Sequence, residues 1–269
     1  MGAHWYRRGD KIGPHSWAAT RYVQKRADGQ PSKVVKREKA FEDGAMEGVT
    51  SILHRVGDPS GLIWWYLERA CETSERFFAA GTKAVEGKTL RETLRAVVDE
   101  DAEEAAEFGK KIHACIEVYT QTGQLPEEEC KVERTACIEV GRFLQGLGAA
   151  DVGHRSEVCA VYDDGIYRFG GTADFANPEV LVDWKTTTKP RKVYGKEVAQ
   201  VAAYQKAFCA GGKYVANVYI SQKTGMIEKV VEYTTEQLDM GWRLFQMCAT
   251  MDALNRGIEV AVNPKAVKV

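Results

Sequence analysis

Two short stretches decide how this chain is read: Gly171-Thr172-Ala173-Asp174 at residues 171–174, and Leu181-Val182-Asp183-Trp184-Lys185 at residues 181–185. The first closes SEVCAVYDDGIYRFGGTADFA, residues 156–176, in which two strand-like runs flank Asp164-Gly165. That dipeptide is a strong hairpin signal, because a two-residue hairpin turn asks for positive φ. The second stretch reads as a third strand. Alternate strand residues project to one face, so Asp183 and Lys185 point together and Trp184 points to the other side. Val180, Leu181 and Val182 make the strand apolar, hence central and buried. Two carboxylates and an amine directed at one spot on such a strand are costly to keep dry. A divalent cation would offset the repulsion between the acids, and oxygen ligands favour Mg²⁺ or Mn²⁺. A bare D-x-K is common, and alone it reads better as a structural pair at a sheet edge.

Working outward, the pattern after Lys185 predicts a helix over about Lys196–Ala210. Strands over Lys213–Ser221 and Met226–Tyr233 follow, then an amphipathic helix from Thr235 to about Asn255. Upstream, a helix follows Pro126, and another spans about Glu100–Thr120 with Phe108, Ile112, Cys115, Ile116 and Tyr119 at helical spacing. Further helices are expected over Leu90–Val98 and from a Ser60 cap through Phe77 and Phe78. Val49–Leu53 reads as a short strand. Residues 1 to about 48 read as irregular, with a hairpin turning at Ala27-Asp28-Gly29. The order is a helical first half, then β-β-β-α-β-β-α, which is an α/β core. Residues 1–108 form the irregular and helical N-terminal elaboration and 109–269 the core. No linker separates them, so one integrated domain is expected.

Composition limits the alternatives. Hydrophobic residues make up 44% of the chain, enough for a packed core and against wholesale disorder. No apolar run has the length of a membrane span, and the N-terminal MGAHWYRRGDKIGPHSW lacks the apolar stretch of a secretory signal. A cytoplasmic protein without a membrane partner is the expectation. Seven cysteines without a CxxC pair argue against a disulfide framework and a structural zinc site. A net charge of −1 excludes a whole-molecule basic field, so nucleic acid would have to meet local patches. Arg7–Lys39 and Lys185–Lys196 are two such patches, set against the acidic run Asp99–Glu107. There is no GxxxxGK[ST] loop, hence no attached nucleotide-driven motor in this chain.

With G-T-x-D in one strand and D-x-K in the next, the chain resembles the PD-(D/E)XK nuclease superfamily. That resemblance implies a central mixed sheet flanked by helices. It also implies metal held by Asp174 and Asp183, with Lys185 assisting the attacking water. Gln200 and Tyr204, four apart and so on one helix face, match the Q-x-x-x-Y of the RecB-like branch. Gly109 and His113 match its G-x-x-x-H, whose histidine completes the metal shell. Glu117 and Glu157 stand where that branch often carries an acid. The resemblance covers about residues 109–210. VTSIL followed by a tryptophan-bearing helix is similar to phage and mitochondrial exonucleases of the branch.

What the resemblance implies is a Mg²⁺- or Mn²⁺-dependent DNA exonuclease of recombination, repair or replication, in a bacterial or phage-infected cell, with a recombination or replication protein as a further partner. The metal ligands would be His113, Asp174, Asp183 and the Trp184 carbonyl. Asp174, Asp183, Lys185, Gln200 and Tyr204 would be the catalytic set. Lys189, Arg191 and Lys192 would contact phosphates. Some members carry an iron-sulfur cluster, but the cysteines here lack the clustering it needs, so none is expected. A structure-specific or restriction-type endonuclease, and an inactive nucleic-acid-binding module, remain open alternatives.

Overall fold

The computed structural model describes residues 4–11, 16–26, 29–32, 35–56, 71, 74, 90–149, 156–188, 192–208 and 214–262. Eight strands form one sheet: β1 (Trp5–Lys11), β2 (Ser16–Arg21), β3 (Met46–Glu47), β4 (Ser156–Asp163), β5 (Arg168–Ala176), β6 (Val180–Thr187), β7 (Tyr214–Ser221) and β8 (Ile227–Glu232). Their spatial order is β3-β1-β2-β4-β5-β6-β7-β8. Only the β6–β7 pair is parallel among the named neighbours, so the sheet is mixed. The helices are α1 (Arg37–Glu42), α2 (Val49–Val56), α3 (Leu90–Thr122), α4 (Lys131–Gly146), α5 (Gly195–Phe208) and α6 (Thr235–Val262). The class is α/β, with the sheet flanked by helices.

The chain divides into two compact units, residues 1–57 with 115–269, and residues 58–114. The first holds the whole sheet. In the second, the described residues are Cys71, Ser74 and the N-terminal part of α3, all helical.

Strands β4 to β6 form as their alternation predicts. Asp164 accepts the backbone N–H groups of Ile166 (2.9 Å) and Tyr167 (2.7 Å), and Gly165 takes φ +89°. This is the Asp-Gly turn that joins β4 to β5. The β6–β7 crossover runs through α5, which lies on the sheet with Ala199, Ala202, Ala203 and Ala207 buried. Small residues let the helix approach closely. Leu181, Ala173 and Phe169 of the sheet and Phe245 of α6 complete this core. On the far side of β6, the Trp184 ring meets Phe143 of α4 edge-on, with centroids 6.1 Å apart.

Three local expectations change. The stretch from 1 to about 48 is not irregular throughout: among its described residues β1, β2 and β3 extend the sheet. Their polar, arginine-bearing sequence hides them, since Arg7 and Arg8 are adjacent and both exposed and so break the alternation. The turn expected at Ala27-Asp28-Gly29 survives as a single bridge between Lys25 and Pro31, Ala27 and Asp28 lying outside the described residues. Val49–Leu53 is not a strand but the start of α2. Its buried residues Val49, Ile52 and Leu53 follow helical spacing, which prevails over the β-propensity of Val, Thr and Ile. The helices expected over Leu90–Val98 and Glu100–Thr120 are one continuous helix, α3. The helix expected from Ser60 to Phe78 lies outside the described residues, save Cys71 and Ser74.

Candidate active site

The site grows from a fork in the sheet. Strands β5 and β6 pair at Phe175–Val182 and Ala176–Leu181, next to their turn, and the ladder goes no further. The next rung would set Asp174 against Asp183. There the backbone N–H of Trp184 turns to the Asp174 carboxylate instead, at 2.7 Å. The two acids therefore stand in the crotch of two parting strands, where side chains can reach a ligand that a continuous ladder would exclude.

Asp183 is 3% exposed, so its charge must be met within the protein. Lys185 Nζ lies 2.5 Å from Asp183 Oδ2, as the alternation along β6 predicts. Asn217, its registered partner on β7, donates Nδ2–H to the same oxygen at 2.7 Å. The Tyr233 hydroxyl in turn donates to Asn217 Oδ1 at 2.7 Å, which fixes the amide's orientation. Both lone-pair sites of Asp183 Oδ2 are thus engaged. Burial disfavours the Lys185 ammonium, but the Asp183 and Asp174 carboxylates outweigh it and hold the amine above its ordinary pKa.

Lys185 is also the start of a chain of polar contacts. Nζ donates to Gln200 Oε1 at 3.0 Å, and Gln200 Nε2 donates to the Tyr204 hydroxyl at 3.2 Å. Tyr204 is buried, and burial raises its phenol well above the ordinary value, with the Tyr6 hydroxyl and Asp183 adding to the effect. Its ring lies on Gly171, where a Cβ would sit 2.5 Å from Tyr204 Cε1. The glycine of G-T-x-D is therefore a steric requirement of the tyrosine of Q-x-x-x-Y. Gly170 makes the same concession to the Tyr6 ring, again at 2.5 Å.

A second group of donors gathers on the other side of Asp174. Glu157 and Asp174 each present one carboxylate oxygen, these within 4.8 Å of one another, and both are half-buried; His113, also half-buried, lies on the part of α3 that belongs to the second unit. Helix α3 runs unbroken through His113 to Thr120, whose hydroxyl bonds that of Ser156 at the start of β4. Glu157 follows immediately and takes φ +51°, the one positive-φ non-glycine residue among those described. Backbone strain of that kind, about 1–3 kcal/mol, is retained where surrounding structure dictates a side-chain direction.

The expected residues thus fall into groups. Asp183, Lys185, Gln200 and Tyr204 are linked by direct contacts, Asp174 joins them to Glu157, and His113 belongs to the second unit. Glu117 stands apart, accepting from Gln121 Nε2 at 3.2 Å one turn along α3. Lys192 is exposed just before α5, while Lys189 and Arg191 lie outside the described residues. Three residues of the site escape sequence reasoning. Arg21 of β2 reaches Glu157 Oε2 at 3.3 Å, Tyr6 of β1 meets Thr172 Oγ1 at 3.1 Å, and Asn217 holds Asp183. Arg21 and Tyr6 come from strands that the sequence does not announce. Asn217 carries a signal of its own, a lone amide within the apolar run of β7, where it is fully buried.

No family model matches this sequence, and no curated protein matches it significantly. A solved structure described as the crystal structure of SSO0001 aligns with a TM-score of 0.26 and 17% identity, over 44% of this chain and 60% of that one. The alignment spans less than two thirds of that chain, and at this TM-score it carries no argument. No helix among the described residues is long and apolar enough to cross a membrane.

Proposed function

We propose that this chain is a metal-dependent deoxyribonuclease with a PD-(D/E)XK core, hydrolysing phosphodiester bonds from DNA ends. The observation that supports it most is the β5–β6 fork, which sets two carboxylates beside a half-buried lysine that is held charged. The donor set suits a hard divalent ion: the carboxylates of Glu157 and Asp174 lie close enough to share it, and His113 is the imidazole this reading adds. Asp183 and the Trp184 carbonyl are further oxygens at the fork. When bound, Mg²⁺ or Mn²⁺ would supply polarisation of the scissile phosphate and charge for the leaving oxygen.

The chain's own residues do the rest. The Trp184 N–H keeps the Asp174 carboxylate turned into the fork. Asn217 and Lys185 hold one oxygen of Asp183 and so fix the direction of its carboxylate. Lys185 carries its proton through the neutral range, so it orients the attacking water and neutralises charge gathering on the phosphate. Gln200 and Tyr204 keep its Nζ from swinging away. Arg21 and Lys192 offer cations to the flanking phosphates. Such contacts give affinity without reading sequence. Processing of DNA ends in recombination, repair or replication is the corresponding role.

End-labelled linear DNA, incubated beside covalently closed circles with Mg²⁺, Mn²⁺ or EDTA, tests this reading. Loss of the linear substrate alone, blocked by EDTA, is the expected result. Cutting of the circle would reassign the chain to the endonucleases. If neither substrate is cut and calorimetry detects no Mn²⁺ binding, the nuclease reading fails.

A further inference from the structure

Helix α6 carries two apolar stripes, and the fold uses one. Leu238, Gly241, Phe245, Cys248 and Asp252 repeat at alternating steps of three and four and are buried in the first unit. Met240, Leu244, Met247, Met251 and Leu254 repeat in the same way, centred roughly a third of a turn further round the helix. These five are exposed, at 63%, 37%, 63%, 50% and 62%. A seam of this period is the pattern of helices that pair along their length. A helix that faced water on this side would carry charge there. Yet from Leu244 to Gly257 every exposed residue is uncharged.

The seam also matches itself. Leu244, Met247, Met251 and Leu254 read Leu-Met-Met-Leu, with spacings of three, four and three, symmetric about Ala249. We propose that two copies of this chain pair through α6, antiparallel about Ala249, with Leu244 against Leu254 and Met247 against Met251 of the second copy. A twofold axis requires a self-complementary patch, and this palindrome is one. A parallel pair would instead set Arg243 beside Arg243 and Glu236 beside Glu236, which like-charge repulsion opposes. The five side chains expose roughly 500 Å² per copy, so a pair buries about 1,000 Å² before its rim is counted, at the lower bound for a specific interface. The proposal is independent of any nuclease activity.

Light scattering of the full chain during size exclusion at micromolar concentrations tests it. The wild type should show twice the chain mass of 29.9 kDa. Met247→Glu should return it to 29.9 kDa with an unchanged far-UV circular-dichroism spectrum, since the side chain is exposed in the single chain. The double variant Met247→Glu with Met251→Lys should pair again, since antiparallel packing sets each glutamate against a lysine. A wild type that stays at 29.9 kDa overturns the proposal. So does a Met247→Glu chain that keeps the doubled mass. A double variant that stays single overturns the antiparallel register.

Discussion

Two ionic clusters lie in the first unit, and they are built on opposite principles. At the fork, Glu157, Asp174 and Asp183 face Lys185 and Arg21, an excess of acid. Elsewhere, Glu47 of β3 and Asp252 of α6 face Arg37, Arg55 and Arg256, an excess of base. Arg55 grips Asp252 through Nε at 2.5 Å and Nη2 at 3.1 Å, and reaches Glu47 Oε1 at 2.5 Å with Nη1. Arg37 adds a bond to Glu47 at 2.9 Å and Arg256 a contact with Asp252 at 3.1 Å. Forked guanidiniums saturate both carboxylates of this second cluster, binding α1, α2, β3 and α6 into one scaffold. At the fork, Asp183 Oδ2 meets the Lys185 ammonium and the Asn217 amide, and Glu157 Oε2 meets Arg21. On the proposed function, the first cluster binds and the second holds structure.

That contrast can be broken by exchanging the expected phenotypes. Asp183→Ala should take DNA cleavage to background, while the unfolding midpoint in urea stays near the wild-type value. A variant that cuts at the parent rate would remove Asp183 from the site. Asp252→Ala should do the reverse. It strips a buried carboxylate from its arginines at a cost of about 3 kcal/mol. Cleavage per folded molecule should survive, as read from activity normalised to the native fraction by circular dichroism. Asn217→Ala tests the boundary between the two designs, because this amide positions an acid without touching substrate. It should weaken Mn²⁺ binding or turnover about 10–100-fold, and Tyr233→Phe should do so less, both by calorimetry and initial rates. Arg21→Ala is the mildest change. Cleavage should persist, and the slope of log affinity for DNA against log salt should fall by about 1.

The same contrast explains what was legible in the sequence. Residues 156–187 were readable because local rules dictate them: an Asp-Gly turn, alternation, and acids two apart from a lysine on a strand. Gln200 and Tyr204 were readable because helical spacing puts them on one face. Arg21 was not, since its contact with Glu157 depends on β2 lying beside β4, a long-range pairing that no local pattern encodes. Asn217 needed the parallel register of β6 and β7 to become Asp183's partner. The arginine cluster was equally hidden, its members coming from residues 37, 47, 55, 252 and 256. Val49–Leu53 misled because residue type favours a strand while the spacing of its apolar members favours a helix.

The pairing of β2 with β4 has a consequence for how the chain is made. Residues 16–18 find their partners only at residues 160–162. On the ribosome, the β1–β2 hairpin must therefore wait until residues 160–162 have been synthesised. Through that interval its outer edge is open to any other extended segment, which is how nascent chains aggregate. Charged residues along an exposed strand discourage such encounters. Arg21, exposed at the end of β2, puts such a charge on the waiting strand.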